Sequence, residues 1–466
     1  MSYAHYIGAV VKALRERALH GVTDPAVRNI LATSIRTLAG IADALDSERN
    51  LPASAITMEG PIVQIFSPPE NGAARSRTGS RIANAVDRIE ASRGRETCLT
   101  DSDLEMIAWE RSLMQQAISS MRAMEGLEGD IVAKSDPLII RREAVEDYFR
   151  KRFGSSIVVS EYFQAIGGRS RQTIIFKLDG NTGLPRDLVL QRDHPGGISR
   201  HGVADEFPVL SLLAQSRLKG PRPIFLEASR TVLGAPFMVS ERSPGKIAGP
   251  DYWDSPKDAR LAAQLAEQLA ILHSIDYSPV QAGLKHTLSG GGDWRGELEL
   301  LEGIWNTQRH WPSVTATAAF SWMRQRVGEI GADTAIIHND TALHNVLVHD
   351  GKISALLDWE LVHLGHPAED LGYCRGFIEE MGSWDVFIDA YVAAGGKRFS
   401  SDLLDYFSLR AIIHLTTLLQ LARSQFEKKA TDDLNIAEVG ASFMPKLMLR
   451  LANVMTSVFQ ARPRAR

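Results

Sequence analysis

Residues 336–375 read IIHNDTALHNVLVHDGKISALLDWELVHLGHPAEDLGYCR, and they set a strand, a polar loop and a hairpin in immediate succession. Ala335, Ile336 and Ile337 make a short apolar strand that ends at His338. Residues 346–348 and 353–357 read as two further strands around His349, Asp350, Gly351 and Lys352, and an Asp-Gly pair is what a tight hairpin turn requires. Asn345 and Asp358 then lie at the two open ends of one hairpin, thirteen residues apart in sequence and adjacent in space. A chain with this run must converge its polar side chains where a strand ends.

His338, Asp340 and Asn345 form H-x-D-x-x-x-x-N, with Asp358 behind an apolar pair and ahead of Trp359. Such an order of groups suits magnesium-assisted phosphoryl transfer, in which the protein aligns a hydroxyl with a phosphorus and neutralises phosphate charge. Asp340 would accept or orient the hydroxyl proton. Asn345 and Asp358 would offer oxygens to Mg²⁺, a hard cation that selects them. His338 joins the catalytic set as a brace for the loop. Taken singly, Asp340 and Asn345 also read as turn formers and Asp358 as a cap; the four together favour the chemistry.

With these residues identified, the region resembles the aminoglycoside phosphotransferase and choline kinase group of small-molecule kinases, and within it the kinase-like domains associated with acyl-CoA dehydrogenases. LDWEL at 357–361, then Gly365, His366 and Pro367, then Asp370 and Leu371 follow that group's LDWEL, GDP and DL run, and the likeness extends over about 160–454. Asn339, Thr341 and His366 depart from the group's usual Gly, aromatic and Asp, and none of them is a metal ligand. The resemblance implies an α+β, two-lobed protein-kinase-like fold with a β-rich N-lobe and a mainly helical C-lobe. The expected division is a helical N-terminal extension over 1–135, the N-lobe over 136–243 and the C-lobe over 244–466. It also implies ATP, with GTP as the alternative, and Mg²⁺.

Further residues follow from the same likeness. Gly167, Gly168 and Ser170, in GGRSR, match a turn whose backbone approaches phosphates. DLVLQR at 187–192 matches the next strand, which in the group ends in a cation on the ATP phosphates; Gln191 holds that register, with Arg192 beside it. Neighbouring strand residues face opposite ways, so Arg192 replaces the cation only through a register shift or a bulge. Glu206 matches the helix glutamate that pairs with that cation. An Arg192–Glu206 pair would mark a complete site, and Gln191 facing Glu206 a weakened one. Met238, Val239, Ser240 and Glu241 resemble the segment that runs along the purine.

Composition narrows the alternatives. With 466 residues, 44% hydrophobic and 23% charged, the chain can bury cores in more than one domain. Lys+Arg 52 against Asp+Glu 56 gives a net charge of −4, which excludes a global basic field for nucleic acid. Cys98 and Cys374 are too few for a disulfide framework, no run reaches the roughly 20 apolar residues of a membrane span, and no signal peptide is visible, so a cytoplasmic protein is expected.

Outside the kinase-like region, helices are expected over 6–18, 24–45, 81–92 and 102–124, and another from Asp136 to Phe149. The extension carries no chemistry and is read as a surface for a partner or for dimerisation. Long helices over 405–426 and 435–454 resemble the group's substrate wall, and Arg410, His414 and Arg423 recur near the helical period on the first, either to meet an anionic substrate or as an internally paired strip. An aminoglycoside would need a dense acidic wall, which is not visible, so hydroxy acids or their CoA thioesters are favoured. A nucleotide-binding pseudokinase or scaffold is the competing reading, sustained by Gln191; an antibiotic kinase is the third.

Overall fold

A computed structural model describes residues 77–92, 99–125, 140–165, 171–180, 183–193, 202–249, 256–284, 293–308, 312–427 and 434–460. Expectations for residues 6–18 and 24–45, and for Gly167, Gly168, Ser170 and Cys98, lie outside the described residues. The chain forms two compact units: one of Met1–Ser135, Asp293–Ile330 and Ser408–Arg466, the other of Asp136–Gly292 and Gly331–Phe407.

Helices α1 (Arg77–Ala91), α2 (Asp101–Glu125) and α3 (Arg142–Phe153) lead to strands β1 (Val158–Ala165), β2 (Arg171–Asp179) and β3 (Asp187–Asp193). Next come α4 (Val203–Leu213), β4 (Arg222–Glu227), α5 (Arg230–Leu233), β5 (Phe237–Glu241), β6 (Lys246–Ile247) and α6 (Ala259–His273). Helices α7 (Trp294–Gln308) and α8 (Val314–Arg326) precede β7 (Ala335–Ile337), β8 (Val346–His349), β9 (Lys352–Leu356) and β10 (His363–Gly365). Helices α9 (Ala368–Glu380), α10 (Trp384–Ala393), α11 (Ser401–Glu427) and α12 (Leu434–Gln460) complete the described elements.

The second unit is built on an antiparallel sheet in the order β1-β2-β3-β5-β4. Alternation decides its faces: Ile174, Phe176 and Leu178 of β2, Leu188 and Leu190 of β3, and Phe237 and Val239 of β5 form one buried cluster with Val145 and Phe149 of α3. Fully burying each such side chain contributes about 1.5–3 kcal/mol. Helix α3 starts at Arg142, after an extended Arg141 (ψ 142); the expected start at Asp136 lies outside the described residues.

The hairpin of β8 and β9 forms as its Asp-Gly pair requires. Asp350 (φ 50) and Gly351 (φ 72) both take the left-handed conformation of a tight hairpin turn. Gln264 of α6 ties it down, its Nε2 donating to Gly351 O at 3.1 Å and its Oε1 accepting Ile353 N at 2.8 Å. Beside it, β7 pairs with β10, Ile337 opposite His363.

The first unit is helical in its described parts. Ile82, Ala85, Val86 and Ile89 give α1 one buried stripe at helical spacing. Thr100 and Asp103 exchange hydrogen bonds as a capping box at the start of α2, Asp103 accepting Thr100 N at 2.8 Å. Helix α8 buries every residue from Val314 to Met323, and Glu110 of α2 caps its start: the carboxylate accepts Val314 N at 2.8 Å, Thr315 N at 3.0 Å and Ser313 Oγ at 3.0 Å. Arg410 is buried and donates to Glu297 at 2.6 Å, so it forms an internal ion pair. The side chain of Arg423 lies outside the described residues. Among the described residues, no helix is long and apolar enough to cross a membrane.

Candidate active site

The described catalytic, nucleotide and metal candidates belong to the second unit, whereas Arg410 and His414 belong to the first. The loop after β7 turns at Asn339, whose φ of 61 explains why a Gly or an Asn stands there: those residue types enter the left-handed region most readily. Asp370, in the first turn of α9, fixes this turn by accepting His338 N at 3.0 Å and Asn339 N at 2.7 Å. Its Oδ2 also meets His273 Nε2 at 3.1 Å, and His273 Nδ1 meets the Tyr391 hydroxyl at 2.8 Å. Burial pushes the Asp370 carboxyl up, but the hydrogen bonds from the His273 ring and the His338 amide outweigh it and hold the carboxyl below its ordinary value.

His338 is fully buried, and both ring nitrogens are engaged. Nδ1 accepts Asp340 N at 3.2 Å, so Nε2 carries the proton and donates to Leu357 O at 3.0 Å. The ring packs on Trp359 with centroids 4.3 Å apart. Burial lowers its pKa, so the imidazole is a neutral brace between the loop and the end of β9.

Asp340 is the point on which the loop converges. Asn345 Nδ2 donates to Asp340 O and to Asp340 Oδ2, each at 2.9 Å, while the Tyr373 hydroxyl donates to Oδ1. Burial raises the Asp340 pKa, and the Tyr373 hydrogen bond opposes that rise. Asn345 thus spends its amide nitrogen on Asp340 and leaves its oxygen for another partner. Leu357 N donates to Asn345 O at 2.7 Å, which closes the open end of the hairpin and brings Asp358 to the same place.

Asp358 has φ 61 and is pushed up to about 7 by burial, then by Glu360 and Asp340; Arg171 opposes this. Glu360 and Asp340 thus set an excess of negative charge beside Asp358, which a divalent cation relieves. One amide oxygen and one carboxylate fit Mg²⁺, which keeps waters and phosphate oxygens for its other positions. Among the described residues, no group of three or more His, Cys, Asp or Glu is arranged to hold a metal by protein ligands alone.

The sheet departs from expectation at the cation. Strand β3 pairs with β2 without interruption from Lys177–Asp187 to Arg171–Asp193, so neither a shift nor a bulge moves Arg192 into the position of Gln191. Arg192 is buried on the face that carries Leu190 and Phe237, and donates to Leu233 O and Gln172 Oε1. Glu206, buried on α4, pairs with Arg171 and not with Arg192. Gln191 lies opposite Met238, on the face shared with Ser240, while Val239 belongs to the buried cluster and Glu241 is exposed. Arg171 and Tyr373 were absent from the sequence-derived set. Arg171 stood in view at the end of GGRSR, whereas Tyr373 carries no local signal beyond its place after Asp370 and Leu371.

The profile of the phosphotransferase enzyme family matches residues 163–411. Acyl-CoA dehydrogenase family member 11 of Rattus norvegicus is 26% identical over 196 residues, 41% of this chain and 25% of that protein. Acyl-CoA dehydrogenase family member 10 of Mus musculus is 26% identical over 249 residues, 51% of this chain and 22% of that protein. The match therefore spans about a quarter of the length of these relatives. The crystal structure of an inferred aminoglycoside phosphotransferase of Ralstonia eutropha aligns over 67% of this chain and 98% of its own, with TM-score 0.50 and 20% identity. That likeness shows the fold: α+β, with a sheet-rich part and a helical part, as in two-lobed kinases.

Proposed function

Because this chain belongs to the phosphotransferase enzyme family, we propose that it is a small-molecule kinase, moving the γ-phosphoryl group of ATP onto an alcohol oxygen. The observation that supports this most is Asp340, half-buried at a loop end with Asn345 bonded to one carboxylate oxygen and Tyr373 to the other. The acceptor oxygen bonds to the γ-phosphorus, the bond from phosphorus to the bridging oxygen breaks, ADP leaves and the hydroxyl proton passes to Asp340. Asn345 and Asp358 are the residues that would hold Mg²⁺, which when bound neutralises phosphate charge.

The acceptor we favour is a hydroxy acid or its CoA thioester, because relatives sharing this segment are named for acyl-CoA chemistry. The reading also keeps residues 1–135 for partner contact or self-association, and the cytoplasm as location. Purified protein with ATP and Mg²⁺ is to be assayed for ADP release across hydroxyacyl-CoAs, hydroxy acids, amino alcohols and aminoglycosides. Turnover on one class, lowered about 10²–10⁴-fold by Asp340→Ala, is expected. Nucleotide binding with no turnover on any class would favour the pseudokinase that Gln191 suggests.

A further inference from the structure

We propose that Arg171 is the residue that contacts the nucleotide phosphates in this site, with Glu206 as the group that tethers it. The proposal rests on the kinase reading above and assigns one of its contacts to a side chain of β2, where the sequence pointed only to the backbone of the GGRSR turn.

Geometry separates the candidates. In an antiparallel pair, residues directly opposite share a face, and residues two apart along a strand do so too. Arg171 lies opposite Asp193, and Thr173 opposite Gln191, so Arg171 and Gln191 project from one face of the sheet. Gln172 lies opposite Arg192, and those two project from the other face, the one packed on α3. Arg192 is committed there to Leu233 O and Gln172. Gln191, on the correct face, has no charge to offer.

Electrostatics support Arg171 for the role. Its side chain is 5% exposed, that of its partner Glu206 2%, and the two form a buried ion pair. Burial lowers the Arg171 pKa, while Glu360, Asp358, Asp193 and Asp205 favour its charged form. The coupling to Asp358 runs both ways, since Arg171 also lowers the Asp358 pKa. Arg171 thus stands beside the Asp358 carboxylate as well as its partner Glu206. A guanidinium has five donors in a fixed fork, so Glu206 can occupy one edge and a phosphate another. In a water-poor setting such charge-assisted bonds are strong, and a preset cation needs no rearrangement as phosphate charge develops.

The test measures ATP and adenosine affinity for the full chain by calorimetry with Mg²⁺, for wild type, Arg171→Gln, Arg171→Lys and Arg171→Gln combined with Gln191→Lys. Each variant is first checked by circular dichroism for a wild-type spectrum. Arg171→Gln is expected to weaken ATP about tenfold or more while leaving adenosine within about twofold, and Gln191→Lys is expected to restore part of the loss from the same face. Arg171→Lys, which keeps the charge and loses the fork, is expected to fall between, and it decides the matter if Arg171→Gln does not fold. An unchanged ATP-to-adenosine ratio in the folded variants overturns the proposal and leaves the kinase reading standing; parallel loss of both ligands overturns it too, as the mark of a purely structural residue. Failure of the wild type to bind any nucleotide overturns both.

Discussion

Tyr373 shows how much one hydroxyl can decide at a half-buried carboxylate. Its donation to Asp340 Oδ1, with Asn345 on Oδ2, fixes the carboxylate plane and leaves the remaining lone pairs for an acceptor. Tyr373→Phe keeps the ring and removes that restraint, so kcat is expected to fall about 10–10²-fold with ATP affinity unchanged, as steady-state kinetics and calorimetry together would report. Asp340, Asn345 and Asp358 were legible in the sequence because their meeting depends on a short loop and one hairpin. Tyr373 was not, because its contact joins positions 33 apart through the packing of α9 beneath the loop. Arg171 stood in the GGRSR run, but only the register of β2 on β3 reveals that it is the arginine sharing the face of Gln191.

Among the elements, the hairpin and α8 stand at opposite ends of legibility. The former announces itself through Asp350-Gly351 between two apolar runs. Helix α8, VTATAAFSWMRQR, buries ten consecutive residues and has no polar face until its last turn, so no period of 3.6 could be read from it. What starts it is Glu110, a residue that only folding brings near. Glu110→Ala would leave the Val314 and Thr315 amides buried without acceptors, at a cost of about 1–3 kcal/mol. Urea denaturation followed by circular dichroism is expected to show that loss, with Ser313→Ala losing less, since Ser313 Oγ serves Ala316 N alone among the amides.

For the molecule as a whole, the net charge of −4 says little, and particular buried groups govern its response to pH. His366 is 1% exposed, stacked on Phe407, and has its pKa lowered to about 4, chiefly by burial. Its folded pKa lies below its ordinary 6.5, so its contribution is intact above pH 6.5 and is lost as pH falls toward 4, by at most about 1.4 kcal/mol per pH unit. Urea midpoints taken at successive pH values are expected to decline over that window, and His366→Asn, which keeps an acceptor for Ala368 N, is expected to flatten the decline. The two-part α+β character was legible from the catalytic run and its neighbours. The membership of the first unit was not, because it gathers three stretches distant in sequence. Time enters here as well as space. Glu110 leaves the ribosome 203 residues before Ser313, which at cellular elongation rates is about 10–40 s. Through that interval the carboxylate has no helix to cap, and the unit it serves cannot be completed until Ser408–Arg466 has been made, after every residue of the other unit.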